Sequence, residues 1–250
     1  MNQSNQNMPN IAIIGYGSMG KTLEEIANKK GYTISKIYDI DNPLTEDDPM
    51  NFDVAIDFSN ADAVLNNIKI LSKKRKNLIL GTTGWYEQMD EVRQIADNAN
   101  IGVVWGSNFS IGMQFFYRIT QRAAVLMKKL DEYEIGIIET HHKLKKDAPS
   151  GTSINLAKFF INELFQYDGY SSNPNDVIGN GKKLHIASLR LGDVIGEHTV
   201  KIDSPYEVIE LVHRAKNRKG FALGALEAAR WINHKQGFYS FNDVLSSYWV

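Results

Sequence analysis

The segment from Glu139 to Thr152 concentrates groups that can hold and move charge: His141, His142, Lys143, Lys145, Lys146, Asp147, Ser150 and Thr152. Histidine titrates near neutrality and can give or take a proton, whereas lysine carries a compact positive charge on a long stem. Ser150-Gly151-Thr152 has the form of a helix start, where hydroxyls and unclaimed backbone amides favour an anion. With Lys145 beside it, the segment predicts a site for a carboxylate-bearing molecule next to an acid/base group. A metal fits poorly. Adjacent histidines on extended backbone point to opposite faces and the neighbouring lysines repel a cation, so no metal is expected.

A second constellation lies near the amino terminus. Gly15-Tyr16-Gly17-Ser18-Met19-Gly20 matches GxGxxG between a predicted strand and a predicted helix, and Asp39 follows Gly20 by 19 residues, at the end of the next strand. Glycines there allow a tight turn and close approach of backbone to a pyrophosphate, and the acid meets ribose hydroxyls. Asp39 would repel a ribose 2′-phosphate, and Ile40-Asp41-Asn42 brings no cation to attract one, so NADH is expected over NADPH. Gly81-Thr82-Thr83-Gly84 and Gly106-Ser107-Asn108-Phe109 each follow a predicted strand, where a nicotinamide ring could lie close to backbone. Each reads equally as an ordinary strand-ending turn.

These groups need elements to position them. From Asn10 to Trp105 short apolar runs (Ile11 to Ile14, Thr33 to Tyr38, Val54 to Asp57, Leu78 to Leu80, Ile101 to Trp105) alternate with helical patterns, one bearing Met19, Leu23, Ile26 and Ala27 before Gly31. That alternation predicts a doubly wound α/β domain with a parallel sheet over residues 1–109. Beyond it, a helix over 111–129, a strand over 132–139 and a helix over 152–165 precede three extended runs, 184–191, 194–202 and 206–213. The turns Gly192-Asp193 and Asp203-Ser204-Pro205 predict consecutive antiparallel neighbours. Residues 110–216 therefore read as a second, α+β domain. The C-terminal segment, about 217–250, which holds a helix over 221–232 and the aromatic tail Phe238 to Trp249, is expected to pack back on the first domain. The polar stretch 167–183 reads as a flexible loop, and residues 1–10 as a frayed leader.

Composition narrows the function. Among 250 residues, 28 basic against 29 acidic side chains leave a net charge of −1, which gives no reason to expect nucleic acid or an anionic membrane surface as partner. The run Lys73-Lys74-Arg75-Lys76 reads as a solvated helix end. Absence of Cys removes disulfides, thiolate metal sites and thiol nucleophiles, consistent with a cytoplasmic protein. No apolar stretch approaches bilayer length.

Glu139, His141, His142, Lys145 and the unbroken string Asp147 to Thr152 resemble the signature E-[AL]-H-H-x-x-K-x-D-A-P-S-G-T of dihydrodipicolinate reductases, with Thr140 alone outside the pattern. The likeness extends to Asp57-Phe58-Ser59, Gly81 to Gly84, Asn108-Phe109-Ser110, Val194 to His198 and His213-Arg214-Ala215. It implies an NADH- or NADPH-dependent reduction of a cyclic dicarboxylate, with His141 as acid/base and Lys145 as proton donor and carboxylate anchor. It implies further that His142, Ser150, Gly151, Thr152 and Arg218 bind substrate, that Phe58 joins the cofactor contacts, and that residues 110–216 form the substrate-binding and oligomerisation domain through which the chain assembles as a homotetramer. Gly106-Ser107 departs from the family's usual Ala-Ala or Ser-Ala, Leu223 stands where Asn is common, and the first glycine loop is one residue shorter than in many members. Another two-domain dehydrogenase of small acids would share the amino-terminal fold but lack the His-His-x-x-Lys block. A dinucleotide sensor would need an interaction module that the sequence does not display.

Overall fold

The structure is a computed structural model that describes residues 8–178 and 181–248; the leader expected over 1–10 falls mostly outside them, as do Trp249 and two residues of the stretch 167–183. In chain order the elements are β1 (Ile11–Ile14), α1 (Ser18–Lys30), β2 (Ile34–Tyr38), β3 (Val54–Asp57), α2 (Ala61–Lys73), β4 (Asn77–Leu80), α3 (Met89–Ala99) and β5 (Gly102–Trp105). Next come α4 (Ile111–Leu126), β6 (Glu134–His141), α5 (Gly151–Glu163), β7 (Gly169–Ser171), β8 (Lys183–Arg190), β9 (Glu197–Asp203) and β10 (Val208–Arg214). The chain ends with α6 (Lys219–Ile232), β11 (Gly237–Ser240) and α7 (Phe241–Ser246). Two compact units result, one running up to Ile111 and resuming at Arg218, the other spanning Gly112–Asn217.

In the first unit all strands are parallel, in the order β11-β5-β4-β3-β1-β2. β1 and β3 are buried at every residue. That is why they read as unbroken apolar runs: Ile11, Ile13 and Ile56 face Leu23 of α1 and Leu226 of α6, while Ala12, Ile14 and Ala55 face Ile68 of α2 and Val92 of α3. The connection from β1 leads to β2 on one side while β3 lies on the other. The strand order reverses there, the place where open α/β sheets bind ligands. The sixth strand, β11, comes from the tail. Its pairing with β5, Gly237 opposite Gly102 and Ser240 opposite Trp105, accounts for the aromatic residues near the terminus.

The second unit holds a mixed sheet in the order β10-β9-β6-β8-β7. This corrects one expectation. The runs 184–191 and 194–202 are not antiparallel neighbours across Gly192-Asp193: β6 lies between them, parallel to β8 and antiparallel to β9. Local turn chemistry permitted a hairpin, but β6 carries a buried stripe, Ile135 and Ile137, that β9 matches with Val200 and Ile202, and this non-local pairing prevails. β9 and β10 do pair antiparallel across Asp203-Ser204-Pro205. Part of the stretch read as a flexible loop is ordered as β7, paired with β8.

Candidate active site

In the first unit a cavity of about 610 Å³ opens beyond the carboxyl ends of β1, β2 and β3, lined by Gly15, Tyr16, Gly17, Asp39, Ile40 and Phe58 among others. Gly15 has φ +88°, and a Cβ there would meet the carbonyl oxygen of Phe58 at 2.6 Å, so only glycine makes this turn. Gly17 caps α1 with no side chain claiming the first amides and no acid in the first turn, which leaves a positive helix end directed at the turn. Gly20 packs against the carbonyl of Gly15, bringing helix to strand. Asp39 sits just past β2, where the amides of Asp41 and Asn42 donate to its Oδ1 at 3.0 and 2.8 Å. Ser18 is exposed, and Met19 half-buried, on the first turn of α1.

The loops that end β3 and β4 are tied to one buried carboxylate. Asp57, fully buried, accepts from the amide and hydroxyl of Ser59 (2.8 and 2.6 Å), from Asn67 (2.9 Å) and from the hydroxyl of Thr82 (3.0 Å). The ring of Phe58 lies against Gly81 and edge-on to Phe109. Thr83 and Ser107 are exposed, and Gly106 and Asn108 half-buried, at the ends of β4 and β5. These residues fit a dinucleotide: a glycine turn, an uncapped helix start, an acid beside them, and loops held in place at a sheet's switch point.

In the second unit β6 alternates, with Ile135, Ile137, Glu139 and His141 facing inward. The apolar stripe thus ends in two polar groups. Across the sheet Ser188 of β8, Glu139 and His198 of β9 stand in one row, and Arg190 pairs with His141 in the next. Glu139, with no exposed surface, accepts from the amide of Ser150 (3.0 Å), the hydroxyls of Ser153 (2.7 Å) and Ser188 (2.8 Å), and the guanidinium of Arg190 (3.0 Å). Burial works against its ionisation, but these hydrogen bonds outweigh burial and hold its pKa at about 2. Arg190 also donates to the carbonyls of Lys145 (3.3 Å) and Asp147 (2.5 Å), fastening the loop to the strand.

His141 is 7% exposed, its Nδ1 3.7 Å from Oε2 of Glu139. Its pKa is lowered, chiefly by burial and further by Lys145 and Arg190, against the pull of Glu139. His198 is held to about 3, by burial first and by His141 second. Lys145 pairs with Asp147 at 2.8 Å. His142 is half-buried, Gly151 exposed and Thr152 half-buried at the start of α5. Ser150 does not offer an open group to a ligand: it is 3% exposed, its amide is taken by Glu139, and its hydroxyl caps Ser153 and meets His198. Arg218 stands in the first unit, at the N-cap of α6.

Glu139, His141 and His198 bring ligand-type atoms within 4.8 Å of one another, which the reading from adjacent His141 and His142 did not foresee. The surroundings are wrong for a cation. The carboxylate's lone pairs are used by four donors, one of them a guanidinium. Sequence reasoning missed His198, Arg190, Ser188 and Ser153. The available signal was period two: Glu139 and His141 continue the stripe of Ile135 and Ile137, as His198 continues that of Val200 and Ile202.

A doubly wound sheet with a glycine cradle at its switch point, joined in sequence to a unit that holds a buried histidine beside a lysine, defines a pyridine-nucleotide-dependent oxidoreductase. The chain belongs to the dihydrodipicolinate reductase family: the model of the family's N-terminal part matches residues 9–109 and that of its C-terminal part residues 112–245. A 4-hydroxy-tetrahydrodipicolinate reductase of Christiangramia forsetii is 37% identical over 239 residues, 95% of this chain and 98% of the relative. One from Methanocaldococcus jannaschii is 39% identical over 226 residues, 87% and 78% of the two chains. A dipicolinate-bound dihydrodipicolinate reductase from Paenisporosarcina sp. TG-14 shares the fold at TM-score 0.72 and 21% identity, covering 94% of this chain and 99% of that one.

Proposed function

We propose that the protein reduces dihydrodipicolinate, formed from 4-hydroxy-tetrahydrodipicolinate by loss of water, to tetrahydrodipicolinate on the route to diaminopimelate and lysine. The observation that carries this reading is a buried imidazole, His141, at the end of β6, followed by an ammonium, Lys145, on the loop that leads into the helix start of α5, whose charge acts on His141. Bound nicotinamide supplies hydride. The acceptor ring gains electron density as it is reduced, and a proton must reach it from the protein. His141 is the acid/base residue and Lys145 the proton donor. Lys145, His142 and the start of α5 at Gly151 and Thr152 hold a substrate carboxylate through charge and backbone amides. Asp147, which pairs with Lys145 in the structure, is the group a substrate carboxylate displaces.

NADH is the preferred cofactor in this reading, supported by Asp39 and by a cavity lining that contains no lysine or arginine among the described residues. The protein works in the cytoplasm as a homotetramer assembled through its second unit. Support for assembly comes from the unpaired edge of β10 and from an apolar groove of about 540 Å³ lined by Ile119, Leu126, Leu130, Tyr133, Ile209 and Leu211. No helix among the described residues is long and apolar enough to cross a membrane.

Steady-state kinetics of His141→Gln and Lys145→Ala test the assignment. Each is expected to lower kcat by about a hundredfold or more while leaving cofactor affinity nearly intact, the range typical of a lost acid/base group. Unchanged kcat in both variants would contradict it.

A further inference from the structure

We propose that Glu139 is a positioning residue that sets the ring tautomer of His141, directing its N–H from Nδ1 into the protein and leaving Nε2 as the atom that exchanges protons. The inference rests on the reading of His141 as the acid/base residue, but the tautomer itself can be observed apart from activity.

Counting protons establishes the direction of every bond around Glu139. An ionised carboxylate only accepts, so the hydroxyl of Ser153, 2.7 Å from Oε2, spends its single proton there. In the contact between Ser153 Oγ and Ser150 Oγ, at 3.1 Å, Ser150 must then be the donor. Ser150 has no second proton, so in its 3.3 Å contact with Nε2 of His198 the histidine donates. The chain runs one way, from His198 through Ser150 and Ser153 to Glu139. It requires neutral His198 to carry its proton on Nε2, which also lies 3.9 Å from Oε2 of Glu139.

His141 receives the complementary instruction. Its Nδ1 is sealed from solvent and has no hydrogen-bond partner among the described residues; the oxygen it faces is Oε2 of Glu139, at 3.7 Å. A lone pair on Nδ1 would point at a negative charge, whereas an N–H there points its positive end at it. Glu139 cannot yield by rotating, because the Ser150 amide, Ser188 and Arg190 hold its other lone pairs. The remaining nitrogen, Nε2, lies beside the backbone of Gly196. The His198 ring, with centroid 5.1 Å away and planes at 76°, closes one side of the His141 ring. The charged groups around His141 are Glu139 on its own strand, Lys145 and Asp147 on the loop and Arg190 on β8. Glu139 is the one fixed, fully buried anion in that set.

Two-dimensional 15N NMR of the imidazole rings in the full-length protein, at a pH above the titration of His141, reads the tautomer directly. The expected spectrum has protonated Nδ1 and unprotonated Nε2 for His141, and the reverse for His198. Assignment of the Nε2–H form to His141 in the unaltered protein would overturn the proposal without any variant. Glu139→Gln removes the charge and places an amide among donors. In it, the His141 titration midpoint is expected to fall by about one pH unit or more, and the acid/base limb of the kcat/KM profile to move with it. Ser188→Ala, which removes one support but keeps the charge, is expected to leave the tautomer in place. If Glu139→Gln folds and neither limb nor tautomer changes, Glu139 is structural only. If tautomers are as expected but His141→Gln retains full turnover, the positioning stands and the assigned acid/base role of His141 is what fails.

Discussion

His141 lies against the backbone of Gly196: a methyl group at that glycine would stand 3.2 Å from Nε2 and 3.5 Å from Cδ2 of the ring. The spacing is tighter than ordinary van der Waals contact, so the imidazole would have to tilt by a few tenths of an ångström. A proton-transfer group tolerates little displacement. Gly196→Ala is therefore expected to lower kcat by about tenfold with KM for the cofactor unchanged, as steady-state kinetics would show. An unaltered kcat would mean that Nε2 does not do the work assigned to it.

Removing the anion proposed to face the ribose should change cofactor choice. Asp39→Ala is expected to improve KM for NADPH by about tenfold, since a repulsive charge next to a phosphate costs on the order of 1 kcal/mol or more. KM for NADH should worsen through loss of the ribose hydrogen bonds. Comparing both constants in the parent and the variant checks this, and a parent that already prefers NADPH would contradict it.

Asp57 ties the ends of β3 and β4 to α2 through four hydrogen bonds, beside the loops proposed to hold the cofactor. Asp57→Ala leaves Ser59, Asn67 and Thr82 with unmatched donors in a buried place. We expect a loss of about 1–3 kcal/mol in stability, read by urea unfolding, together with weaker cofactor binding. Unchanged binding would show that the loops keep their geometry without the carboxylate.

Acid should destabilise the protein in two stages. His141 and His198 have folded pKa values below the ordinary 6.5, so their contribution is present above that value and begins to be lost as pH falls below it, when the unfolded chain takes up protons first. Glu139, held at about 2 against an ordinary 4.5, contributes stability that is complete above 4.5 and fades as pH falls toward 2. Its share is roughly 3 kcal/mol. Urea midpoints at about pH 7.5, 5 and 3 should decline in that order, and Glu139→Gln should flatten the lower step. A midpoint that does not change with pH would contradict the assigned protonation states.

Much of the first unit was legible in the sequence because its strands are local apolar runs separated by helices with clear periodicity. Gly31 ends α1 with φ +80°, and Gly15-Tyr16-Gly17 turns where the spacing places it. What the sequence hid was non-local. β11 is only four residues long and reads as an aromatic tail until β5 is there to pair with it. The insertion of β6 between β8 and β9 depends on matched buried stripes far apart in the chain, which no turn residue announces. The same holds for the site. His141 and Lys145 stand out by type and density, whereas Arg190, Ser188 and His198 reach Glu139 only through strand register. Ser150 differs in the other direction: its hydroxyl looks available in the sequence and is turned inward by the network it completes.

The most direct measurement is to supply the purified protein with NADH and the freshly made product of dihydrodipicolinate synthase and to follow the loss of nicotinamide absorbance. Turnover is expected that requires both the substrate and the cofactor and that collapses in His141→Gln. Absence of turnover with NADH and with NADPH, in a protein shown to be folded, would contradict it.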